Sequence, residues 1–196
     1  YSQPLLAGDG LTWTDGERVE GYTSPLWVLL SAGLGAVGVP LETASRLLGL
    51  IALGGLVAFV FRVAGPLALL IVAAHPGLVI WSLGGLETAG FTLCLTIASW
   101  LVCRELDQHE SNSAWFAGCL FAASGLLRPE GFVAGVLGSI LLWRAHPARA
   151  LSVLTPVVVA AFGWLAFRIT YYRDLLPNVA YAKGVGIPMA RRLASA

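Results

Sequence analysis

Between Arg62 and Arg104 the chain carries a single charged residue, Glu87. A run so poor in charge cannot face water, and the pattern is not confined to it. Apolar stretches recur at 25–39, 47–61, 66–83, 88–103, 114–127, 131–143 and 150–167. Charged residues make up 12% of the 196, and the mean hydropathy is +0.78. Soluble domains carry about 25% charged residues, so a chain with half that share cannot cover itself in water. The sequence describes an integral membrane protein. A net charge of +1 excludes a polybasic nucleic-acid binder and an acidic tail.

Backbone polar groups in lipid must pair within the chain, and no barrel-like alternation is present, so the stretches are read as helices. The fold class expected is all-α, a polytopic transmembrane bundle of about six or seven apolar helices with a polar outer loop at the N-terminus. Several stretches fall short of the ~20 residues a straight span needs, and one or two are expected to be half-spans or re-entrant segments. The 23 glycines permit close helix–helix approach. Three parts follow: residues 1–24 as part of a first extracytoplasmic loop, 25–167 as the bundle, and 168–196 as an extracytoplasmic segment leading to a further C-terminal part. The chain starts at Tyr1 and its single methionine is Met189, so it is expected to be a piece of a longer protein.

Basic residues near Arg62, Arg104, Arg144 and Arg149 outnumber those near Arg46 and Arg128, which makes the first set cytoplasmic by the positive-inside rule. The connections at Glu87 and Arg128–Glu130 and the Leu176-Pro177-Asn178 turn then share the outer face. Three apolar stretches separate the first loop from Glu87, so strict alternation places that loop on the wrong side. One of the three should therefore not cross, and 66–83, interrupted by His75-Pro76-Gly77, and the short 47–61 are the candidates.

Charges among apolar stretches are costly, and each one is a candidate for function. Glu20 and Tyr22 crowd a Thr23-Ser24-Pro25 helix start followed by Trp27, and either line a site or belong to a capped span with an interfacial aromatic. Glu87 follows Gly84-Gly85, where a carboxylate either complements a helix N-terminus or serves a site. Arg128-Pro129-Glu130 is either a hairpin with a local ion pair or an anion-binding arginine held by Glu130, its planar fork suited to phosphate. The run from Tyr171 to Gly184 combines aromatics, a Pro177-Asn178 turn, Tyr181 and the lone lysine, Lys183. It is either an interfacial belt or a surface for a sugar ring and a phosphate headgroup.

Cys94, Cys103 and Cys119 lack metal or disulfide spacing and are read as apolar fillers. His75, His109 and His146 are scattered, without ligand spacing. No dinucleotide, P-loop, metalloprotease or nucleophile-elbow motif is present.

Glu17-Arg18-Val19-Glu20-Gly21-Tyr22-Thr23-Ser24-Pro25-Leu26-Trp27, Gly85-Leu86-Glu87-Thr88, Arg128-Pro129-Glu130-Gly131 and Leu176-Pro177-Asn178 with Tyr181-Ala182-Lys183 occur in that order. Together they resemble the GT-C membrane glycosyltransferases, in particular the terminal arabinofuranosyltransferase-like branch of bacterial cell-envelope enzymes. The resemblance runs from about Gly8 to Lys183. It implies a multi-pass enzyme of the plasma (inner) membrane whose active site faces outward. Such an enzyme moves a sugar from a polyprenyl-phosphate-linked donor to a cell-envelope glycan acceptor. It also implies a principal catalytic aspartate, general base or metal-associated, expected upstream of Tyr1; Asp9 and Asp15 lie in the wrong part of the loop. Glu20 and Glu87 are then supporting catalytic carboxylates, and Arg128, Glu130, Tyr22, Asn178, Tyr181 and Lys183 bind donor phosphate or sugar. The carboxylates leave room for a divalent metal without a legible ligand set.

The alternative in another class is a transporter or flippase of a lipid-linked or small polar solute. It should show internal repeats and mid-span polar residues, whereas here the polar residues gather at stretch boundaries and no repeat is visible. A third reading, a non-catalytic assembly subunit, gives Glu20, Glu87 and Arg128 no role.

Overall fold

The computed structural model describes residues 1–12, 19–107 and 113–174, and among them every regular element is helical. In chain order these are α1 (Ser2–Ala7), α2 (Pro25–Ala36), α3 (Leu41–Ala73), α4 (Pro76–Leu83), α5 (Thr88–Asp107), α6 (Ala114–Leu127), α7 (Glu130–Trp143) and α8 (Pro147–Tyr171). Proline occupies the first turn of α2, α4 and α8, where its missing N–H costs nothing and its fixed φ suits a helix. Three of the described helices, α3, α5 and α8, are long and apolar enough to cross a membrane. The apolar helices α2, α6 and α7 have 12, 14 and 14 residues. At ~1.5 Å per residue they fall short of a hydrocarbon core of ~30 Å. Among the described residues, then, three apolar helices reach full-span length and the others are shorter.

The long helix α3 absorbs the 47–61 stretch and extends it toward the N-terminus through Glu42 and Arg46, which pair one turn apart at 2.6 Å. It breaks at Gly65, whose φ of 78° and ψ of −175° no side-chain-bearing residue adopts comfortably. Pro66 follows and withholds an N–H from the helix. The 66–83 stretch is then divided at His75, whose Nδ1 accepts from Leu78 N at 3.3 Å and caps α4.

By Ser82–Gly85 the chain is back alongside the first turns of α3. A Cβ on Gly49 would run into the Ser82 carbonyl, and one on Gly85 would lie 2.9 Å from Ser45 Oγ. The indole N–H of Trp27, at the start of α2, donates to the Gly85 carbonyl at 2.8 Å. At the other end of α2 a Cβ on Gly35 would sit 2.9 Å from the Leu41 side chain, one turn before Ser45. Both ends of α2 therefore belong to the same end of the bundle. The helix of the 25–39 stretch thus starts and finishes at one end, whereas α3, which contains 47–61, is among the described helices long and apolar enough to cross a membrane. Twelve residues ending in a glycine-rich turn at Gly38 (φ 92°) are too few to reach the far end.

The remaining helices alternate. Ala98, Leu101 and Val102 of α5, Ala117 and Phe121 of α6, Leu142 of α7, and Val153 and Val157 of α8 form the buried core. Small residues set the spacing, since a Cβ on Gly118 would stand 2.5 Å from the Val153 carbonyl oxygen. At the end opposite Glu87, the fully buried Glu105 accepts from Ser113 N at 2.9 Å and from its Oγ at 2.7 Å. Glu105 also pairs with Arg149 at 3.1 Å. That knot joins the end of α5 to the starts of α6 and α8. Arg104 and Arg144 close α5 and α7 at the same end.

Gly118→Val is the direct test of the α6–α8 crossing. Overpacking there should cost about 1–3 kcal/mol, read as a lower thermal midpoint in detergent. Gly163→Val, where nothing lies within 4 Å of a Cβ, should leave the midpoint within a degree or so of wild type.

Candidate functional site

The N-terminal segment is tied down by tyrosines. Tyr1 Oη donates to the Val19 carbonyl at 2.8 Å and accepts from Gly21 N at 2.7 Å. Leu11 N donates to Tyr171 Oη at 2.9 Å, and Tyr172 Oη donates to the Leu11 carbonyl at 3.2 Å. Tyr22 and Tyr172 share a hydroxyl–hydroxyl bond of 2.9 Å. Along one face of α8, Trp164, Phe167 and Tyr171 stack with centroids 5.2 and 5.1 Å apart, the i, i+3 and i+4 spacing that brings helical side chains together. Burial pushes the Tyr172 phenol up to about 12 and that of Tyr22 further, so both remain protonated donors at any ordinary pH.

Held in this way, Glu20 reaches α8. Its Oε2 accepts from Arg168 Nε at 2.5 Å, and the two side chains are 5% and 12% exposed. Arg168 sits in the last turn of α8, where a cation complements the helix C-terminus. Burial raises the Glu20 carboxyl above its usual range; the Arg168 charge and hydrogen bond oppose this, and Asp174 adds to the rise. A cavity of about 270 Å³ opens beside the pair. Its floor is Gly125, Pro129 and Phe132, where the short α6–α7 hairpin stops below the end of α8. Ala161, Trp164, Leu165 and Arg168 form one wall, and Glu20, Thr23 and Pro25 form the roof.

A second ion pair stands next to that floor. Arg128 is extended (φ −150°, ψ 134°), the conformation a residue preceding proline prefers, and this throws its side chain across to α5. Its Nε and Nη2 lie 2.9 and 2.8 Å from Glu87 Oε1, Nη2 also donates to Thr88 Oγ1 at 2.8 Å, and the guanidinium lies over the Phe91 ring at 5.7 Å. Gly85, at φ 75°, makes the turn that delivers Glu87. The arginine is thus held by Glu87, and not by Glu130, which is exposed at the first turn of α7. Arg128 ends its helix in extended backbone while Glu130 already belongs to the next, so the two neighbours diverge.

Of the residues picked out in the sequence, Glu20 lines the cavity, and Glu87 with Arg128 stands beside it through Pro129. Tyr22 is buried in the aromatic cluster, with its hydroxyl engaged by Tyr172, and is not among the residues lining this cavity. Asn178, Tyr181 and Lys183 lie outside the described residues. Arg168 escaped notice. A lone cation closing an apolar run of eighteen residues is a signal, because such a charge needs a partner. No group of three or more His, Cys, Asp or Glu converges among the described residues. Glu20 and Glu87 are each paired with a guanidinium, a donor set that does not suit a divalent cation.

The raised Glu20 carboxyl carries a pH signature. The folded protein holds that proton more tightly than the unfolded chain, so the stability Glu20 contributes is complete below its unfolded pKa and is lost as pH rises through the folded value. The thermal midpoint of wild type relative to Glu20→Gln should fall as pH rises above the ordinary glutamate pKa of about 4.3. A flat or rising difference would mean that Arg168 outweighs burial.

No family model matches the chain, and no solved structure matches it. Among curated proteins it is similar to the terminal beta-(1->2)-arabinofuranosyltransferase of Mycobacterium tuberculosis, at 30% identity over 206 residues. The match takes in 91% of this chain and 32% of the relative, so the chain spans about a third of that enzyme's length. Similarity over nearly the whole chain supports a glycosyltransferase-like relationship, and the apolar helices are those of a membrane protein.

Proposed function

We propose that the chain is part of a GT-C-type membrane glycosyltransferase that moves a sugar from a polyprenyl-phosphate donor to a cell-envelope glycan on the extracytoplasmic face. The similarity to an arabinofuranosyltransferase over 91% of the chain carries this reading. The polar geometry agrees with it. Two carboxylate–guanidinium pairs and a cavity gather at one end of the bundle, which in this reading is the end that meets the lipid headgroups. A transporter is not favoured, because the site lies at the bundle's end and not midway along it.

In the transfer, an acceptor hydroxyl loses its proton to a general base and attacks the anomeric carbon, while the polyprenyl phosphate leaves with the bond electrons. The base is proposed to be the aspartate that the resemblance places upstream of Tyr1. Negative charge grows on the departing phosphate oxygen, and fixed cations in a water-poor cleft stabilise it far better than bulk water does. Arg128, locked by Glu87 and Thr88, holds the α5 and α6 ends in register beneath the cavity. Asn178, Tyr181 and Lys183 remain candidates for sugar and phosphate contacts.

Membranes containing the full-length protein, given a radiolabelled decaprenyl-phosphate sugar and a glycan acceptor, provide the assay. Glu87→Ala and Arg128→Ala should each lower transfer about 100-fold, the scale of a misplaced reacting group. Wild-type rates in both variants would remove this ion pair from the active site.

A further inference from the structure

We infer that Arg168 is an anion-binding side chain that takes a phosphate monoester in the cavity above the α6–α7 hairpin, with Glu20 as the residue that positions it. The assignment rests on hydrogen-bonding capacity. A guanidinium offers five N–H donors in a rigid plane. Arg128 spends its Nε and Nη2 on Glu87 and Thr88, and Arg46 uses its Nη2 on Glu42. Arg168 gives its Nε to Glu20, yet its Nη2 is buried without a hydrogen-bond partner among the described residues. A buried donor on a charged group is expensive to leave unmatched, and the side chain is held there by a carboxylate that is itself 6% exposed.

The surroundings specify the ligand's other half. Beside Arg168 and Glu20 the cavity wall is Pro25, Phe132, Trp164 and Leu165. A polar fork set against an aromatic and aliphatic surface suits an amphiphile with an anionic head. Depth agrees: Arg168 lies 21 residues beyond Pro147 on α8, a rise of ~32 Å, close to the ~30 Å of a hydrocarbon core. With the start of α8 at one membrane boundary, Arg168 stands at the other, level with phosphate groups. Glu20 fixes the guanidinium through Nε and leaves Nη2 without a hydrogen-bond partner among the described residues, which is the role of an orienting partner. A phosphate monoester, with several acceptor oxygens, supplies the acceptor that Nη2 lacks.

The chemistry is shared by a prenyl phosphate and by free phosphate, and the choice of the lipid-borne source rests on the glycosyltransferase reading. Binding of farnesyl phosphate, farnesol and inorganic phosphate to the full-length protein in phosphatidylcholine nanodiscs separates these cases. Farnesyl phosphate should bind at least about tenfold more tightly than farnesol, a preference lost in Arg168→Gln. Arg168→Lys keeps the charge and the pairing with Glu20 but loses the fork, and should fall between the two. Glu20→Gln, which retains an acceptor for Nε, should keep the preference for phosphate, whereas Glu20→Ala should weaken it. Inorganic phosphate binding as tightly as farnesyl phosphate would overturn the lipid source. Farnesyl phosphate binding that neither Arg168 variant alters would overturn the assignment of Arg168. Absence of transfer from every lipid-linked donor, with Arg168-dependent phosphate binding intact, would sink the glycosyltransferase reading alone.

Discussion

A charge that cannot reach water must bring its partner with it, and this chain obeys that constraint at both ends of its bundle. Glu105 meets Ser113 and Arg149 at one end; Glu87 meets Arg128 and Glu20 meets Arg168 at the other. Each pair joins segments remote in sequence, so the electrostatic requirement also fixes which helix ends lie together. Hydrophobic association cannot supply that information, because lipid tails are as apolar as the helix faces they cover. The small-residue contacts, such as Gly118 against α8, set how closely helices approach. The ion pairs set which ends coincide.

This division explains what the sequence discloses and what it conceals. The 114–127 stretch coincides with α6, and 131–143 begins one residue inside α7, because in both cases a polar turn bounds a uniform apolar run. Glu20, Glu87 and Arg128 stood out for the same reason, as charges where charge is scarce. Their partners did not: Arg128 and Glu87 are 41 residues apart, Arg168 and Glu20 are 148 apart, and no local pattern links them. Arg128 and Glu130, neighbours in sequence, invited a pairing that the bend at Pro129 forbids. Tyr22 offered a polar group near a helix start, yet an aromatic cluster of Tyr1, Tyr172 and Trp164 claims it.

The course of α2 was hidden for another reason. Composition reports that a stretch is apolar, not which way it runs, and 25–39 is as apolar as its neighbours. Its direction is set by the hydrogen bond from Trp27 to the Gly85 carbonyl and by the packing of its far end on Leu41. These contacts bring the polar N-terminal segment to the end that holds Glu87 and Arg128.

The roof and one wall of the cavity come from opposite ends of the described chain, since Glu20 must wait for Arg168 to be made. At ~5–20 residues per second, ribosomal synthesis of the intervening 148 residues takes on the order of ten seconds. Through that interval the α5–α6 junction can already close around Glu87 and Arg128, while Glu20 stays hydrated at no electrostatic cost. The cavity is therefore the last feature of this region to form. A nascent chain stalled before α8 would lack the wall that Ala161, Trp164, Leu165 and Arg168 give the cavity.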